Sequence, residues 1–272
     1  MIPDVAEPII RQLLDARANL HRQKNVVIDV GCSYGINAAI HRFPVSFRYL
    51  QQRYAGREMM EISPEELIKL DRAFYSSWPE LRSTEFIGLD AAAAAIGYAN
   101  RTGLHVNGVA ADLEAGDLKA ADAAIIAPAN VVLSTGSIGY VTHRTYEKVL
   151  DALQVQPWVI SFVLRMFPYE EFISAFAARG MVTEKLPGST FVQRRFCNEE
   201  EFKRSLKTLE SRGIDPTGCE TDGLFRAELF VSRPKSDVEA LPLESIVTVT
   251  SGRVKDLGVQ YARPRYLAHS FA

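Results

Sequence analysis

The sequence predicts an α/β protein with a doubly wound, mostly parallel sheet that carries helices on both faces. The first observation behind this class is that short apolar strand patterns alternate with helical patterns along most of the 272 residues, which is the order of βαβ units. The second is a strand-to-helix turn, in residues 25–40, that contains Gly31 and Gly35. The third is that acidic residues stand near the ends of predicted strands, as Asp90 does. Ligands of such sheets bind at these carboxyl ends.

The predicted strands are rich in aliphatic and β-branched residues and are bounded by polar or glycine-containing turns. The first of them, VVIDV, is apolar except for Asp29, and the last, GLFRAELFVSRP, lies between a glycine and a proline. Strands are expected at 26–30, 86–90, 105–114, 129–137, 157–164 and 223–234.

The predicted helices have apolar residues spaced three and four positions apart. Gly103 is expected to end the helix that begins at residue 91, and Asn198 is expected to cap the last long helix. Helices are expected at 5–23, 36–44, 91–104, 143–154, 169–180 and 198–214.

Residues 41–85 are predicted to form a helical insertion before the second strand. They contain a helix pattern at 63–74 with Ser63 as its cap. Four aromatic residues of this insertion lie outside the sheet pattern, and they either form a lid over a substrate pocket or pack into a small satellite core. These residues are Tyr49, Tyr54, Tyr75 and Trp78.

The C-terminal tail, residues 235–272, shows little helical pattern and contains the β-branched run SIVTVT. Such a run favours a strand that pairs with another strand or with a second subunit. The sequence is therefore compatible with a homodimer.

Composition argues against several classes of function. A net charge of −2 without a basic stripe argues against a nucleic-acid partner. No apolar run approaches the roughly 20 residues of a membrane-spanning helix, and the N-terminus is acidic where a signal peptide would be basic. Three cysteines and scattered histidines show no metal-ligand spacing. We therefore expect a cytoplasmic protein with no metal and no membrane partner.

The turn after the first strand favours a ligand without phosphate. A dinucleotide fingerprint requires a middle glycine that makes room for the pyrophosphate. Here Cys32, Ser33 and Tyr34 fill the space between Gly31 and Gly35. An acid at position 29 would favour a cationic ammonium group nearby. The pattern therefore indicates a smaller ligand that meets the loop edge-on.

With its neighbours, this stretch is similar to a known family. VIDVGCSYG resembles the first motif of the class I S-adenosylmethionine-dependent methyltransferases, which have a Rossmann-like fold. FIGLD resembles the strand whose terminal acid binds the ribose, and AADLE resembles the loop that holds the adenine. VVLSTGSIGYV resembles the fourth-strand motif beside the methionine and the substrate, and AELFVSRP resembles the antiparallel last strand. The resemblance covers about residues 25–232.

The resemblance implies a seven-stranded sheet in residues 1–234, with S-adenosylmethionine as the cofactor and S-adenosylhomocysteine as its product. Asp90 would bind the ribose, although the insertion places it further along the chain than the usual 20 or so residues. The nearer candidate strand VSFRYL, residues 45–50, ends without an acid. The implied cofactor-binding residues are Asp29, Gly31, Cys32, Ser33, Tyr34, Gly35, Asp90, Ala91, Asp112, Leu113, Ser134, Thr135 and Gly136.

Residues beyond the fourth strand are candidates for the substrate side. Ser137 and Tyr140 would contact the acceptor, with Tyr140 and His143 as the catalytic candidates, because a histidine is suited to proton abstraction near neutral pH. Arg165 would bind an anionic group of the substrate. Each has a structural alternative: His143 capping or packing on its helix, Tyr140 packing, and Arg165 pairing with Glu170 or Glu171.

The predicted activity is methyl transfer to oxygen, nitrogen or carbon of a small-molecule acceptor. Nucleic-acid amino-methylases of this class often carry an Asn- or Asp-Pro-Pro-aromatic stretch where this chain has STGS. Two alternatives remain open, a nicotinamide-dependent oxidoreductase and a non-catalytic module that binds S-adenosylmethionine.

Overall fold

The computed structural model describes residues 2–81, 84–105, 107–251 and 260–262. The chain divides into two compact units. The parallel unit holds the described residues of 17–134 and 144–157. The antiparallel unit holds the described residues of 1–16, 135–143 and 158–272.

The parallel unit contains the first four strands of the chain. They are β1 (Asn25–Val30), β2 (Thr84–Asp90), β3 (Val109–Ala110) and β4 (Val131–Ser134). Its helices are α2 (Ile36–Arg42), α3 (Phe47–Tyr54), α4 (Arg57–Glu61), α5 (Pro64–Ser76), α6 (Ala93–Thr102) and α7 (Ala120–Ile126). Two further helices have residues in both units, α1 (Ile2–His21) and α8 (His143–Ala152).

The strands of the parallel unit lie in the order β3-β2-β1-β4 and all run parallel. The chain moves outward from β1 to β2 and β3, and then returns to place β4 on the other side of β1. This reversal is the switch point of a doubly wound sheet, where ligands bind beyond the carboxyl ends of the strands. The predicted α/β class is therefore confirmed.

The insertion folds as three helices, α3, α4 and α5, and α5 begins with a capping box between Ser63 and Glu66. Its aromatic residues pack with α2 and α6 in one apolar cluster. Tyr75 is buried, Tyr54 and Trp78 are partly buried, and the more exposed Tyr49 stacks on Phe74. This packing corresponds to the satellite core that the sequence offered as one of two outcomes.

A buried carboxylate links the insertion to α6. Asp71 is fully buried and accepts hydrogen bonds from Arg53 Nη2 (2.8 Å) and from the Tyr98 hydroxyl (2.7 Å). The Tyr54 hydroxyl lies 3.4 Å from that of Tyr98 and 3.3 Å from that of Tyr75. A charge removed from water needs such partners, so this network fixes α5 against α6.

The antiparallel unit contains β5 (Trp158–Leu164), β6 (Met181–Lys185), β7 (Phe191–Arg195) and β8 (Leu224–Pro234). Its helices are α9 (Glu170–Ala177), α10 (Glu199–Ser211), a 3₁₀ turn at Glu220–Asp222, α11 (Lys235–Ala240) and α12 (Leu243–Ile246). A separate two-stranded ribbon pairs β9 (Val249–Ser251) with β10 (Gln260–Ala262).

The last long strand, β8, runs antiparallel to every strand that it pairs with. β5 occupies one side of it. β6 and β7 share the other side, because β6 pairs with residues 230–234 and β7 with residues 224–227. The antiparallel last strand is confirmed, and the strand beyond it is divided into two pieces, so that β1 to β8 number eight rather than seven.

Buried polar groups attach the residues after β8 to the antiparallel unit. The Trp158 indole donates to Asp237 Oδ2 (2.7 Å), and the fully buried Arg233 donates to the Leu241 carbonyl (2.8 Å). Glu184 pairs with Arg233 and accepts a hydrogen bond from the Leu243 amide (2.8 Å). These contacts order α11 and α12, so the prediction that the tail has little helix was wrong.

The sequence also missed or misjudged other elements. It gave no signal for α3, α4, α7, β6 or β7, because short amphipathic pieces lack a long periodic pattern. The third strand is much shorter than residues 105–114, since only Val109 and Ala110 pair with β2; Val106 of that prediction lies outside the described residues. The fourth strand is Val131–Ser134 rather than 129–137.

Candidate functional site

The carboxyl ends of β1, β2 and β4 lie side by side in the parallel unit. Asp29 is in register with Gly88 of β2 and with Leu133 of β4. Asp90 is in register with Ala110 of β3. The acidic strand ends that the sequence pointed to, together with the buried Ser134, therefore share one edge of the sheet, at the switch point.

The loop between β1 and α2 is held by its own backbone amides. The Gly31 and Cys32 amides donate to the Leu89 carbonyl (2.8 and 3.4 Å), and the Gly35 amide donates to the Cys32 carbonyl (3.0 Å). Gly31 and Gly35 have positive φ angles of 70° and 82°, a conformation in which a side chain is strained. Both glycines are therefore required by the turn itself.

Ser33 occupies the middle of this loop with a φ of 49°, which is uncommon for a residue with a side chain. Its amide donates to Asp90 Oδ2 (2.8 Å). The other carboxylate oxygen of Asp90 accepts from the Ala92 amide (2.8 Å), just before α6 begins. Asp90 thus joins the loop to the start of α6 while remaining partly exposed.

Cys32 points away from solvent and is 6% exposed. Burial, and then the negative charges of Asp29 and Asp90, raise the pKa of its thiol above the ordinary value. The neutral thiol is a poor nucleophile. This agrees with the interpretation of Cys32 as a small filler of the turn.

Asp29 is buried beneath the loop, and the Asn37 side chain donates to both of its oxygens (3.0 and 3.1 Å). Burial raises the pKa of the Asp29 carboxyl to about 7, the Asn37 amide lowers it, and Asp90 raises it further. Asn37 belongs to the site, but the sequence gave no reason to choose it from the first turn of α2.

The loop after β3 presents Asp112. Its Oδ1 accepts from the amides of Glu114 and Ala115 (3.0 and 3.2 Å), whereas its Oδ2 has no hydrogen-bond partner within the described part of the chain. Leu113 beside it is buried, and Lys148 of α8 donates to the Leu113 carbonyl (2.8 Å). The carboxylate is therefore fixed in place with one oxygen still available.

An open apolar surface adjoins these carboxylates. Tyr34 is 55% exposed, and its ring meets the Tyr98 ring edge-on at 5.5 Å. Ala91 to Ala94, at the start of α6, are exposed and carry only methyl groups. A flat ligand can approach the backbone closely there.

His105 lies under the same loop, and the sequence gave it no role. It is 3% exposed, and neither ring nitrogen has a hydrogen-bond partner among the described residues. Burial, together with the charge of Arg42, lowers its pKa to about 4. The ring is neutral at physiological pH and acts as packing for the loop.

The segment Thr135–His143 belongs to the antiparallel unit. Ser137 is buried and Tyr140 is 83% exposed. His143 is the first residue of α8; its Nδ1 lies 3.2 Å from Glu171 Oε2, without hydrogen-bond geometry, and its ring meets Phe172 edge-on. The ring packs at the helix start and lies near a carboxylate that does not accept a hydrogen bond from it, so the catalytic role of His143 stays a prediction.

Arg165, the predicted ligand for a substrate anion, is engaged by the protein. Its Nη1 donates to Glu220 Oε2 (2.6 Å) and its Nη2 to the Asp215 carbonyl (2.8 Å). Glu220 is 2% exposed. The ion-pair partner is thus Glu220, rather than Glu170 or Glu171. These contacts favour a structural role for Arg165 over substrate binding.

Neither a metal site nor a membrane-spanning helix is found in the described part of the chain. The described residues contain no group of three or more His, Cys, Asp or Glu side chains arranged to hold a metal ion. Among the helices that the structure describes, none has both the length and the apolar character needed to cross a membrane.

No protein-family model matches the chain, and no curated protein matches it either. Solved structures that align with this chain include a TehB-like SAM-dependent methyltransferase from Corynebacterium glutamicum. The two are 14% identical with a TM-score of 0.36, and the alignment covers 80% of this chain and 86% of that one. The plantazolicin methyltransferase BamL, in complex with a triazolic desmethylPZN analog and SAH, has 11% identity, a TM-score of 0.44 and coverage of 86% and 85%.

A third structure, Streptomyces venezuelae DesVI, has 12% identity, a TM-score of 0.40, and 85% of this chain and 92% of that one covered. Identities and TM-scores of this size are too low to assign an activity to this chain.

Proposed function

We propose that this protein is an S-adenosylmethionine-dependent methyltransferase that acts on a small-molecule acceptor. One observation carries the proposal: the amides of the glycine loop are already used by the protein. Those of Gly31 and Cys32 donate to Leu89, that of Gly35 donates to Cys32, and that of Ser33 donates to Asp90. A loop that binds a diphosphate needs such amides free.

The charge at the loop supports the same choice. The partly exposed Asp90 carboxylate lies directly on the loop, where it would repel a diphosphate. It would instead accept hydrogen bonds from the hydroxyls of a ribose, since each carboxylate oxygen can accept more than one. A ribose-binding acid also occurs in nicotinamide dinucleotide sites, so it is the contact of Asp90 with the loop amide of Ser33 that favours a nucleoside without phosphate.

The other residues of the parallel unit fit a nucleoside as well. The available oxygen of Asp112 would accept from the amino group of adenine, beside the buried Leu113. The methyl surface of Ala91 and the exposed ring of Tyr34 would cover the flat faces of the ligand. Asp29, in its ionised form and held by Asn37, would supply negative charge toward the ammonium group of the methionine portion. Ser134 would line the site at the end of β4.

The cofactor, when bound, supplies a methyl group made electrophilic by a sulfonium. The contribution of this chain is then alignment of an acceptor, with a base where the accepting atom carries a proton. We propose His143 as that base, with the negative charge of Glu171 nearby favouring its protonated form, and Ser137 and Tyr140 as contacts to the acceptor. Because Arg165 is paired with Glu220, we expect it to contribute less to acceptor binding than these residues do.

Binding measurements test the cofactor. Calorimetry should show that S-adenosylhomocysteine and S-adenosylmethionine bind in equal stoichiometry, whereas NAD shows no heat of binding. Binding of NAD without S-adenosylhomocysteine would instead indicate the oxidoreductase alternative. Asp90→Ala should weaken this binding. Asp117→Ala, which removes an exposed carboxylate from the same unit, is its control for a general effect of charge.

Turnover separates an enzyme from a binding module. The protein is incubated with methyl-labelled S-adenosylmethionine and a set of small hydroxy, amino and activated-carbon compounds. Label transfer that depends on His143 or Tyr140 supports the catalytic proposal. The non-catalytic module would be indicated if the protein binds the cofactor but transfers label to no compound, and if S-adenosylhomocysteine does not accumulate when the protein is added to a cell extract.

A further inference from the structure

A bulge in β7 presents the Gln193 side chain in an unusual way. The register of β7 against β8 is regular up to Val192, which pairs with Arg226, and resumes at Arg194, which pairs with Phe225. Gln193 is the extra residue between them. Bulges re-aim single side chains and occur next to active sites more often than elsewhere in a sheet.

The amide of Gln193 is directed at the chain segment that follows β4. A Cβ atom placed on Gly136 would lie 2.6 Å from Gln193 Nε2, which is closer than such atoms approach each other. Gly136 also has a φ of 140°, which residues with side chains rarely adopt. The close approach of the amide therefore depends on a glycine at position 136.

The carbonyl oxygen of this amide has an unmet hydrogen bond. Gln193 Oε1 is buried and accepts no hydrogen bond from any residue that the structure describes. A buried polar atom without a partner costs free energy, and few persist in folded proteins. The residue as a whole is partly exposed, so a turn of the amide group about its last side-chain bond would bring the oxygen within reach of a small ligand.

The segment that follows β4 also contacts aromatic side chains from other parts of the chain. Gly139 packs against the ring of Phe167, close enough that a Cβ there would lie 2.3 Å from it. Four residues further on, His143 meets Phe172. A flat apolar body suits these rings, and the amide of Gln193, which approaches Gly136 of the same segment, suits a single donor group.

We propose that Gln193 binds the methyl acceptor, by accepting a hydrogen bond from a hydroxyl or amino group on a compact aromatic molecule. The assignment of the bound molecule as a methyl acceptor rests on the proposed methyltransferase function, whereas the binding site itself does not. Gln193 selects among acceptors because an analogue without the donor leaves the buried oxygen unpaired.

Three probes of one size test this: phenol and aniline carry a donor, and toluene does not. Their dissociation constants are measured by NMR titration of the full chain, with and without saturating S-adenosylhomocysteine. Phenol or aniline should bind more tightly than toluene. Gln193→Met keeps the length of the side chain but removes the amide, and it should weaken the donor probe about fivefold while leaving toluene unchanged.

Gln154→Met, at an exposed position of the other unit, is the matched control and should leave all three constants unchanged. Circular dichroism and thermal unfolding check that Gln193→Met folds. If that variant is unfolded, crystals of the unaltered protein soaked in phenol decide the question, because the phenol oxygen should lie within hydrogen-bond distance of Gln193 Oε1.

The proposal is wrong if Gln193→Met binds the donor probes as the unaltered protein does, if neither donor probe binds, or if soaked crystals show only an ordered water on Oε1. Failure of the proposed function has a different signature. In that case S-adenosylhomocysteine does not bind, while the probes bind or fail to bind at Gln193 independently of it.

Discussion

The imidazole of His105 lies directly on the backbone of Gly88. A Cβ atom at position 88 would be 2.1 Å from His105 Cε1 and 2.7 Å from Cys32 Sγ. Because Gly88 of β2 has no side chain, the His105 ring and the Cys32 thiol can both pack against its backbone, beneath the glycine loop.

Gly88→Ala should destabilise the protein by about 2–4 kcal/mol, because a buried ring and a strand backbone cannot both move aside. Gly97→Ala is the matched control. A Cβ on Gly97, within α6, meets no atom within 4 Å, so alanine there should stabilise by about 0.5–1 kcal/mol through helix propensity. Urea unfolding of both variants measures the difference, and equal effects at the two positions would contradict this account.

Asp90→Ala should weaken binding of S-adenosylhomocysteine by roughly 10–150-fold, the equivalent of about 1.5–3 kcal/mol for charge-assisted hydrogen bonds. It removes the proposed ligand for the ribose and also the acceptor for the amides of Ser33 and Ala92. Calorimetry measures the loss, with Asp117→Ala as the control. Unchanged affinity in a folded Asp90→Ala variant would show that the ligand binds elsewhere.

Two buried groups should give opposite pH dependences of stability. The pKa of His105 is lowered from 6.5 to about 4, so the unfolded chain binds a proton that the folded one does not, and stability falls as pH falls through this range. The pKa of Asp29 is raised from 3.8 to about 7. The folded chain holds that proton more tightly, and stability falls as pH rises through this range.

Variants separate the two contributions. Asp29→Asn leaves that of His105, so the free energy of unfolding should rise between about pH 4 and 6.5. His105→Gln leaves that of Asp29, so the free energy of unfolding should fall between about pH 4 and 7. Urea unfolding across this pH range gives both slopes, and slopes of the same sign in the two variants would refute the assignment.

Tyr98→Phe should separate the two roles of Tyr98. It removes the hydroxyl that donates to Asp71 (2.7 Å) but keeps the ring that contacts Tyr34. Stability should fall by about 1 kcal/mol while affinity for S-adenosylhomocysteine is retained. Tyr98→Ala removes both the hydroxyl and the ring, and it should also weaken the binding of S-adenosylhomocysteine. Equal loss of affinity in the two variants would show that the ring contact does not matter.

The acidic strand ends and the glycine turn could be predicted because they are local patterns. VVIDV and FIGLD could be assigned as the first two strands from their length, their order in the chain and the acid near the end of each. The structure places Asp29 and Asp90 at one edge of the sheet, as expected. The nearer stretch VSFRYL, which the absence of an acid argued against, is not a strand: its residues 47–50 belong to α3, and Ser46 is the N-cap of that helix.

The remaining residues of the site depend on contacts between distant parts of the chain. Asn37 matters because Asp29 is buried beside it, and His105 because Gly88 leaves room for its ring. In the antiparallel unit, Gln193 is singled out because β7 skips one pairing against β8 there. A bulge leaves the alternation of FVQRR unchanged in the sequence, so no pattern could have indicated it. Likewise, the partner of Arg165 is 55 residues away.

The Asp90 carboxylate is held by hydrogen bonds from the backbone amides of Ser33 and Ala92, which all belong to the protein itself. A binding surface that is already rigid loses little conformational freedom when it is filled, so cofactor uptake should be rapid and should not rearrange this part of the backbone. Crystals grown without cofactor should then survive soaking, and amide exchange at Ser33 should be slow from the start.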